Sequence, residues 1–279
     1  LTDTGVASPY LHQAQCAELA WQGRDVVVST GTSSGKSLGY QLPVLTALAQ
    51  DPTACAVYLT PTKALGSDQL QATLRMTQGA GLEGIHPAPY DGDTPVESRA
   101  GIREHSRYVF TNPDMLHAGM LGSHARWARL LRHLKYIVVD ECHTYRGVFG
   151  ANVALVLRRL LRIASAYGSS PTLIYASATA ADPAGQALRL SGREAVAVTD
   201  DAAPAGERTI VLWEPGFIEG AEGEGGAPVR YPATTEAASV SAQLLLQGAR
   251  TLTFVRSRRA AETVAMRTQE HLVVAGRAD

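Results

Sequence analysis

Apolar residues fall in short blocks along the chain, and between the blocks apolar positions recur every three or four residues. The blocks at residues 25–30, 55–60, 108–111, 136–140, 172–177, 209–213 and 251–255 predict strands. Many of them lack the alternation of a half-exposed strand, as expected where a parallel sheet buries both faces. The stretch after Gly150 shows the other pattern: Val153, Leu157, Leu160, Leu161 and Ala164 share one helical face, and Arg158, Arg159 and Arg162 the opposite one. Residues 124–135 likewise predict an amphipathic helix, with Trp127, Leu130, Leu131 and Leu134 in the core and the arginines solvated. Strand–helix alternation implies an α/β fold with a parallel sheet and right-handed crossovers.

Polar, Pro- and Gly-containing residues 200–206 mark a boundary, giving one unit at 1–203 and a linker with an incomplete second unit at 204–279. Residues 219–228, acidic and Gly-rich, predict a solvated loop. At 279 residues the chain accommodates one large domain or two lobes. Its net charge of -1 gives no global basic signature, so nucleic-acid binding would depend on local patches. Cys16, Cys55 and Cys142 form neither a CxxC pair nor an even set, which points to a reducing, cytoplasmic setting. No apolar run reaches spanning length, so no membrane partner is expected. The start at Leu1 and the end soon after a new βα unit read as those of a piece of a longer protein.

The sharpest chemical signal is TGTSSGKS, Thr30 to Ser37, between the apolar DVVV and the helical run LGYQLPVL. Strand, small-residue loop, Gly-Lys-Ser and helix is the context of a phosphate-binding loop. Gly31 and Gly35 let backbone N–H groups curve around phosphates, and the helix N-terminus adds partial positive charge. Lys36 reaches the β- and γ-phosphates of ATP, and Ser37 can ligate Mg. Thr32, Ser33, Ser34 and Gly35 complete the nucleotide-binding set. Thr30 stands where the strict pattern has Gly, and Pro43 should kink the following helix or displace a hydrogen bond.

The second signal is KYIVVDECHTY, an apolar strand ending in Asp140-Glu141. Beside a phosphate loop, Asp140 is suited to hold Mg and Glu141 to orient the attacking water as general base. Cys142 and His143 alone do not make a zinc site, so His143 is assigned to coupling.

The Asp-Glu-x-His sequence after a phosphate loop resembles motif II of superfamily-2 helicases, and further motifs stand in helicase order. HQAQ, at His12 to Gln15, resembles the adenine-reading motif, and the Gln13 carboxamide suits adenine. PTKAL, TNPDML and SAT look like motifs Ia, Ib and III, and TLTFVRSRRAAE like motif IV at the start of a second lobe. TGTSSGKSLGYQLP, YDGDTP, TNPDMLHAGML, HARWARLLRHLKYIVVDE and DECHTYRGVFGANVALVLRRL are together similar to the mitomycin repair factor A (MrfA/YprA) group of bacterial DNA helicases and its fungal RecQ-like relatives.

This resemblance implies a RecA-like lobe followed by the start of another. It also implies ATP-driven 3′-to-5′ movement on single-stranded DNA, unwinding of tailed duplexes, and DNA repair with a possible nuclease partner. By the same resemblance Thr62, Lys63, Thr111 and Asn112 face the nucleic acid, with hydroxyl, ammonium and amide groups suited to phosphate oxygens. Ser177 and Thr179 would relay nucleotide state to the motif II carboxylate or histidine. Motifs V and VI, with the arginine finger, and the family's cysteine-rich zinc domain have no counterpart here, so no zinc is carried over. Because a finger contributes about a thousandfold or more, weak ATP hydrolysis is expected of this chain alone.

Tyr10 has two readings, stacking on adenine or packing under the first helix. A small-molecule kinase or transport ATPase would share the phosphate loop but has no reason for PTKAL, TNPDML and SAT in that order. Intact Lys36, Asp140 and Glu141 argue against a non-catalytic clamp. RNA stays open as a substrate, since phosphate contacts separate it poorly from DNA.

Overall fold

A computed structural model describes residues 8–277. The chain divides between Ala205 and Gly206 into two compact units.

The first unit is built on a seven-stranded sheet. Its strands are β1 (Val26–Ser29), β2 (Cys55–Leu59), β3 (Ala88–Pro89), β4 (Tyr108–Thr111), β5 (Leu134–Val139), β6 (Thr172–Ser177) and β7 (Val196–Val198). They lie in the order β3-β4-β2-β5-β6-β1-β7, and every pair is parallel. β1, β2, β4 and β6 are buried along their whole length, which explains their unbroken apolar character. One core lies on each face. Val27, Val57, Val109, Ile137, Leu173 and Tyr175 point into one, and Val26, Val28, Tyr58, Tyr136, Val138 and Ile174 into the other. This is the RecA-like α/β architecture.

Helices cover both faces. α1 (Leu11–Trp21) and α2 (Lys36–Gln50) flank β1, α3 (Lys63–Gly79) follows β2, α4 (Ser98–His105) precedes β4, and α8 (Pro183–Ser191) follows β6. α7 (Gly147–Ala166) follows β5 and buries Val153, Leu157, Leu160 and Ala164, the face expected from their spacing. α2 runs unbroken through the buried Pro43, so the cost falls on one missing backbone bond and the helix is not divided.

Three expectations need correction. Residues 124–135 do not form one helix: a 3-10 segment (Leu121–Trp127) gives way to α6 (Ala128–Arg132), and Leu134 already belongs to β5. Trp127 is buried with Leu130 and Leu131, its ring edge-on to Tyr90 at 4.7 Å. Arg129 is not solvated but donates to the carbonyls of Arg103 and Ser106.

The second correction concerns residues 209–213 and 251–255, which form no strand. Extended backbone becomes a strand only by pairing, and neither segment has a neighbour among the described residues of the second unit. The third concerns the predicted loop at 219–228. Phe217–Glu222 (β8) pairs antiparallel with Pro228–Arg230 (β9), closed by the glycines between them. Arg230 covers the Phe217 ring at 4.0 Å and pairs with Glu214 at 2.8 Å. The rest of this unit is a helix pair, α9 (Ala233–Leu246) against α10 (Arg258–Val274), with Ala238, Ala242 and Val264 buried.

No helix among the described residues is long and apolar enough to cross a membrane.

Candidate functional site

A parallel sheet places every strand's carboxyl end on one edge, where loops gather. β1 and β5 both pair with β6, so the loop after Ser29 and the acidic turn after Val139 emerge on the same edge, flanking Ser177.

The loop is wound tightly. Ser33 and Gly35 have φ of 64° and 76°, which turns successive backbone groups to one side. Thr30, the residue in place of glycine, joins its hydroxyl to Ser34 at 2.7 Å and so braces the loop. Lys36 folds back, donating to the carbonyls of Gly31 at 2.8 Å and Thr30 at 3.2 Å. Ser37 follows it in the first turn of α2.

α1 shapes the loop from outside. The Gln13 Nε2 donates to the Gly35 carbonyl at 2.9 Å, and its Oε1 accepts from the Tyr10 N–H at 2.8 Å. Fully buried His12 bridges the loop to the end of the first unit. Its Nε2 lies 3.0 Å from the Ser34 carbonyl, and its Nδ1 faces the Ala202 N–H at 3.3 Å. An N–H opposite Nδ1 requires that nitrogen to accept, so Nε2 carries the hydrogen and donates to Ser34. Asp201 adds a carboxylate that accepts the Gly31 N–H at 2.9 Å. The N–H groups of Ala203 and Gly31, with the Lys36 charge nearby, hold its carboxyl below the usual range.

Across the edge, Asp140 is tied down on both oxygens. Its Oδ1 accepts the Glu141 N–H at 2.8 Å, and its Oδ2 accepts the hydroxyls of Tyr58 and Tyr40, the latter at 3.1 Å. Burial, reinforced by Asp140's charge, raises both tyrosines above the ordinary range, so each keeps its hydrogen and donates. Tyr40 stands on α2, the helix of the phosphate loop, and so joins that loop's helix to Asp140. Glu141 sits at φ 49°, a strained value for a non-glycine residue. Its carboxylate lies 3.1 Å from His143 Nδ1, which also faces the Ala178 N–H at 3.3 Å. One ring nitrogen cannot donate to Glu141 and accept from Ala178 at once. The Cys142 thiol between them is pushed up to about 12 by burial and takes no part.

Ser177 is buried and turns its hydroxyl to the Ala178 carbonyl at 2.7 Å, while Thr179 is exposed. Contact with His143 therefore runs through the backbone of Ala178, where a hydroxyl was expected. Ser29 fixes that segment, donating to the Ala178 carbonyl and accepting from the Ala180 N–H.

A concavity of about 370 Å³ opens beside the β2 and β4 ends, lined by Thr62, Lys63, Thr111 and Asn112 together with Asp91 and Asp93. Lys63 is paired with Asp93 at 2.7 Å. Thr62 caps α3 through the Leu65 N–H, and Asn112 caps the turn Pro113–Met115 (α5) through the Met115 N–H. Thr111 is buried, its hydroxyl committed to the Tyr90 carbonyl and its own carbonyl to the Thr60 N–H, so it holds the end of β4 in place beneath the concavity.

A family model for DEAD/DEAH box helicases matches residues 10–187. The chain belongs to that family. It is 40% identical over 97% of its length to the ATP-dependent helicase YprA of Bacillus subtilis, and 38% identical over 97% to the ATP-dependent helicase HRQ1 of Saccharomyces cerevisiae. It spans 35% and 25% of those two proteins. The solved helicase MrfA bound to DNA and AMPPNP superposes with a TM-score of 0.92 at 39% identity, covering 100% of this chain and 38% of that one.

In this helicase chain the residues singled out from sequence form two groups on one edge: Gln13, Thr32 to Ser37, Asp140, Glu141 and His143 near the phosphate loop, and Thr62, Lys63, Thr111 and Asn112 in the concavity. Four participants carried no sequence signal of their own. Tyr40 and Tyr58 read as core apolar residues, His12 as a neighbour of Gln13, and Asp201 as part of a polar boundary.

Proposed function

We propose that the protein is an ATP-driven motor that moves 3′ to 5′ along single-stranded DNA and unwinds duplexes in DNA repair. One observation carries the reading: the phosphate loop and the Asp140-Glu141 turn share one sheet edge, joined by Tyr40.

The loop fits a triphosphate. Its backbone is already curved at Ser33 and Gly35, and Lys36 needs only to release two carbonyls of its own loop to reach a phosphate. Gln13, whose amide now holds the loop, turns to the base when nucleotide arrives. Ser37 and Asp140 offer the hard oxygens that magnesium prefers, with Asp140 already oriented by three donors. Held by those two oxygens, magnesium would neutralise phosphate charge. Glu141 orients the water, and His143 passes its state to the Ala178 segment. An arginine finger, outside the residues named here, completes the chemistry.

Thr62, Lys63 and Asn112 hold the strand by its phosphates, which positions without reading sequence, and buried Thr111 fixes the strand end beneath them. MrfA, solved with DNA, supports DNA over RNA. Three free, buried cysteines accord with a cytoplasmic setting, and a repair nuclease is the natural partner class for a strand-separating motor.

Strand displacement by the full-length protein tests this on 3′-tailed, 5′-tailed and RNA-containing duplexes. Unwinding of the 3′-tailed DNA alone, dependent on ATP, is expected. Preference for a 5′ tail would reverse the direction, and equal unwinding of RNA would remove the DNA assignment.

A further inference from the structure

The Tyr40 hydroxyl has one hydrogen and two acceptors. Asp140 Oδ2 lies 3.1 Å away and Gln69 Oε1 3.0 Å away. A single O–H can make one strong bond. The competing acceptors belong to different sites. Asp140 ends β5 at the nucleotide side, while Gln69 stands on α3, the helix whose N-terminus carries Thr62 and Lys63 into the concavity.

The surroundings make this choice consequential. Tyr40 is fully buried, so water cannot supply a substitute partner. Tyr58 donates to the same Asp140 oxygen, so Oδ2 keeps one donor when Tyr40 turns away, and Oδ1 keeps the Glu141 N–H. One turn further along α3, Gln41 of α2 donates to Thr73 at 2.8 Å, and Thr73 donates to the Gln69 carbonyl at 2.8 Å. α2 and α3 are thus joined by polar groups at two successive turns, and only the Tyr40 link is contested. Gln69 does not itself line the concavity.

We infer that Tyr40 is a positioning residue that couples the two sites by passing its one hydrogen between Asp140 and Gln69. With Asp140 fully charged, the charge-assisted bond wins and Gln69 is left loose. With Asp140 sharing its charge with a cation, the bond to Gln69 gains, fixing α3 and with it Thr62 and Lys63. Loading of the nucleotide site then raises affinity for the strand. This rests on the function proposed above.

The test measures equilibrium binding by the full-length protein, with no turnover. Fluorescence anisotropy of a labelled single strand is followed with Mg alone and with Mg plus AMPPNP, and nucleotide affinity is titrated separately. Wild type is expected to bind the strand about tenfold tighter with AMPPNP, within the usual range of coupling. Gln69→Leu, at a partly exposed position, should cut that ratio to about twofold or less while nucleotide affinity stays within about twofold. Tyr40→Phe should reduce the ratio equally, and the double variant no further, because the two residues form one link. Full coupling in Gln69→Leu or Tyr40→Phe, or additive losses in the double variant, would overturn the inference. Failure of wild type to bind nucleotide or strand would overturn the proposed function and this inference with it, so the two failures are told apart.

Discussion

At the scale of single residues, Gly35 is the most constrained position of the phosphate loop. Its φ of 76° disfavours any side chain, and a Cβ there would lie 2.6 Å from the Gln13 Nε2. Gly35→Ala therefore strains the backbone by about 1–2 kcal/mol and displaces the amide that holds the Gly35 carbonyl. Nucleotide affinity, followed by titration with a fluorescent analogue, should fall roughly tenfold for that strain. Asp201 gives a pH-dependent prediction. Its carboxyl is lower in the fold than in the unfolded chain, so its contribution is present above the ordinary carboxylate pKa and lost as pH falls through the folded value. The melting temperature of Asp201→Ala should lie below wild type near neutral pH and converge with it in acid. A gap that widened on acidification would contradict that role.

These residues also show how far a sequence speaks at this scale. Lys36, Asp140 and Glu141 were legible because their chemistry dictates the residue type at a fixed offset from a strand. Tyr58 was not, because an aromatic inside an apolar strand looks the same whether its hydroxyl is idle or bound to Asp140. Only β2 lying beside β5 brings that hydroxyl to Asp140. Asp201 was hidden for a similar reason. It is far from Gly31 in sequence and sits in a stretch whose composition reads as a boundary.

At the scale of elements, α7 and its apolar stripe were legible because twenty residues keep one period. Truncating its fully buried Leu157 to Ala should cost about 2–5 kcal/mol. Thermal unfolding would register that as a drop of several degrees, and an unchanged melting point would place Leu157 outside the core. The short strands β3 and β7 were not legible. Two or three residues carry no measurable period, and each forms at an edge of an existing sheet. The predicted helix at 124–135 failed because its apolar spacing continues into β5, and periodicity cannot locate where a helix yields to a strand. The α3 N-terminus carries a further prediction. Lys63 must leave Asp93 to meet a phosphate. Lys63→Ala should weaken binding to all single strands alike and reduce the salt slope by about one, whereas Asp93→Asn should tighten binding. A change confined to particular sequences would point to base contact.

At the scale of the whole molecule, the motifs of the first unit, from the phosphate loop to SAT, map onto one edge of one sheet. Parallel strands make that inevitable: successive carboxyl ends, though distant in sequence, face the same way. The functional edge could therefore be inferred before any coordinates, while the partners inside it could not. The second unit marks the limit. Ile210, Leu212, Leu252 and Phe254 have the apolar character of strand residues yet stand exposed, because pairing depends on neighbours that an isolated pattern cannot supply.

In the proposed motor, Lys36 and the Asp140-Glu141 turn act on one triphosphate. The most direct test pairs ATP hydrolysis with nucleotide binding in Glu141→Gln of the full-length protein, with single-stranded DNA present. Nucleotide affinity should stay within about threefold, as the loop and Asp140 are untouched, while hydrolysis falls by about a hundredfold or more. Hydrolysis at the wild-type rate would contradict the account.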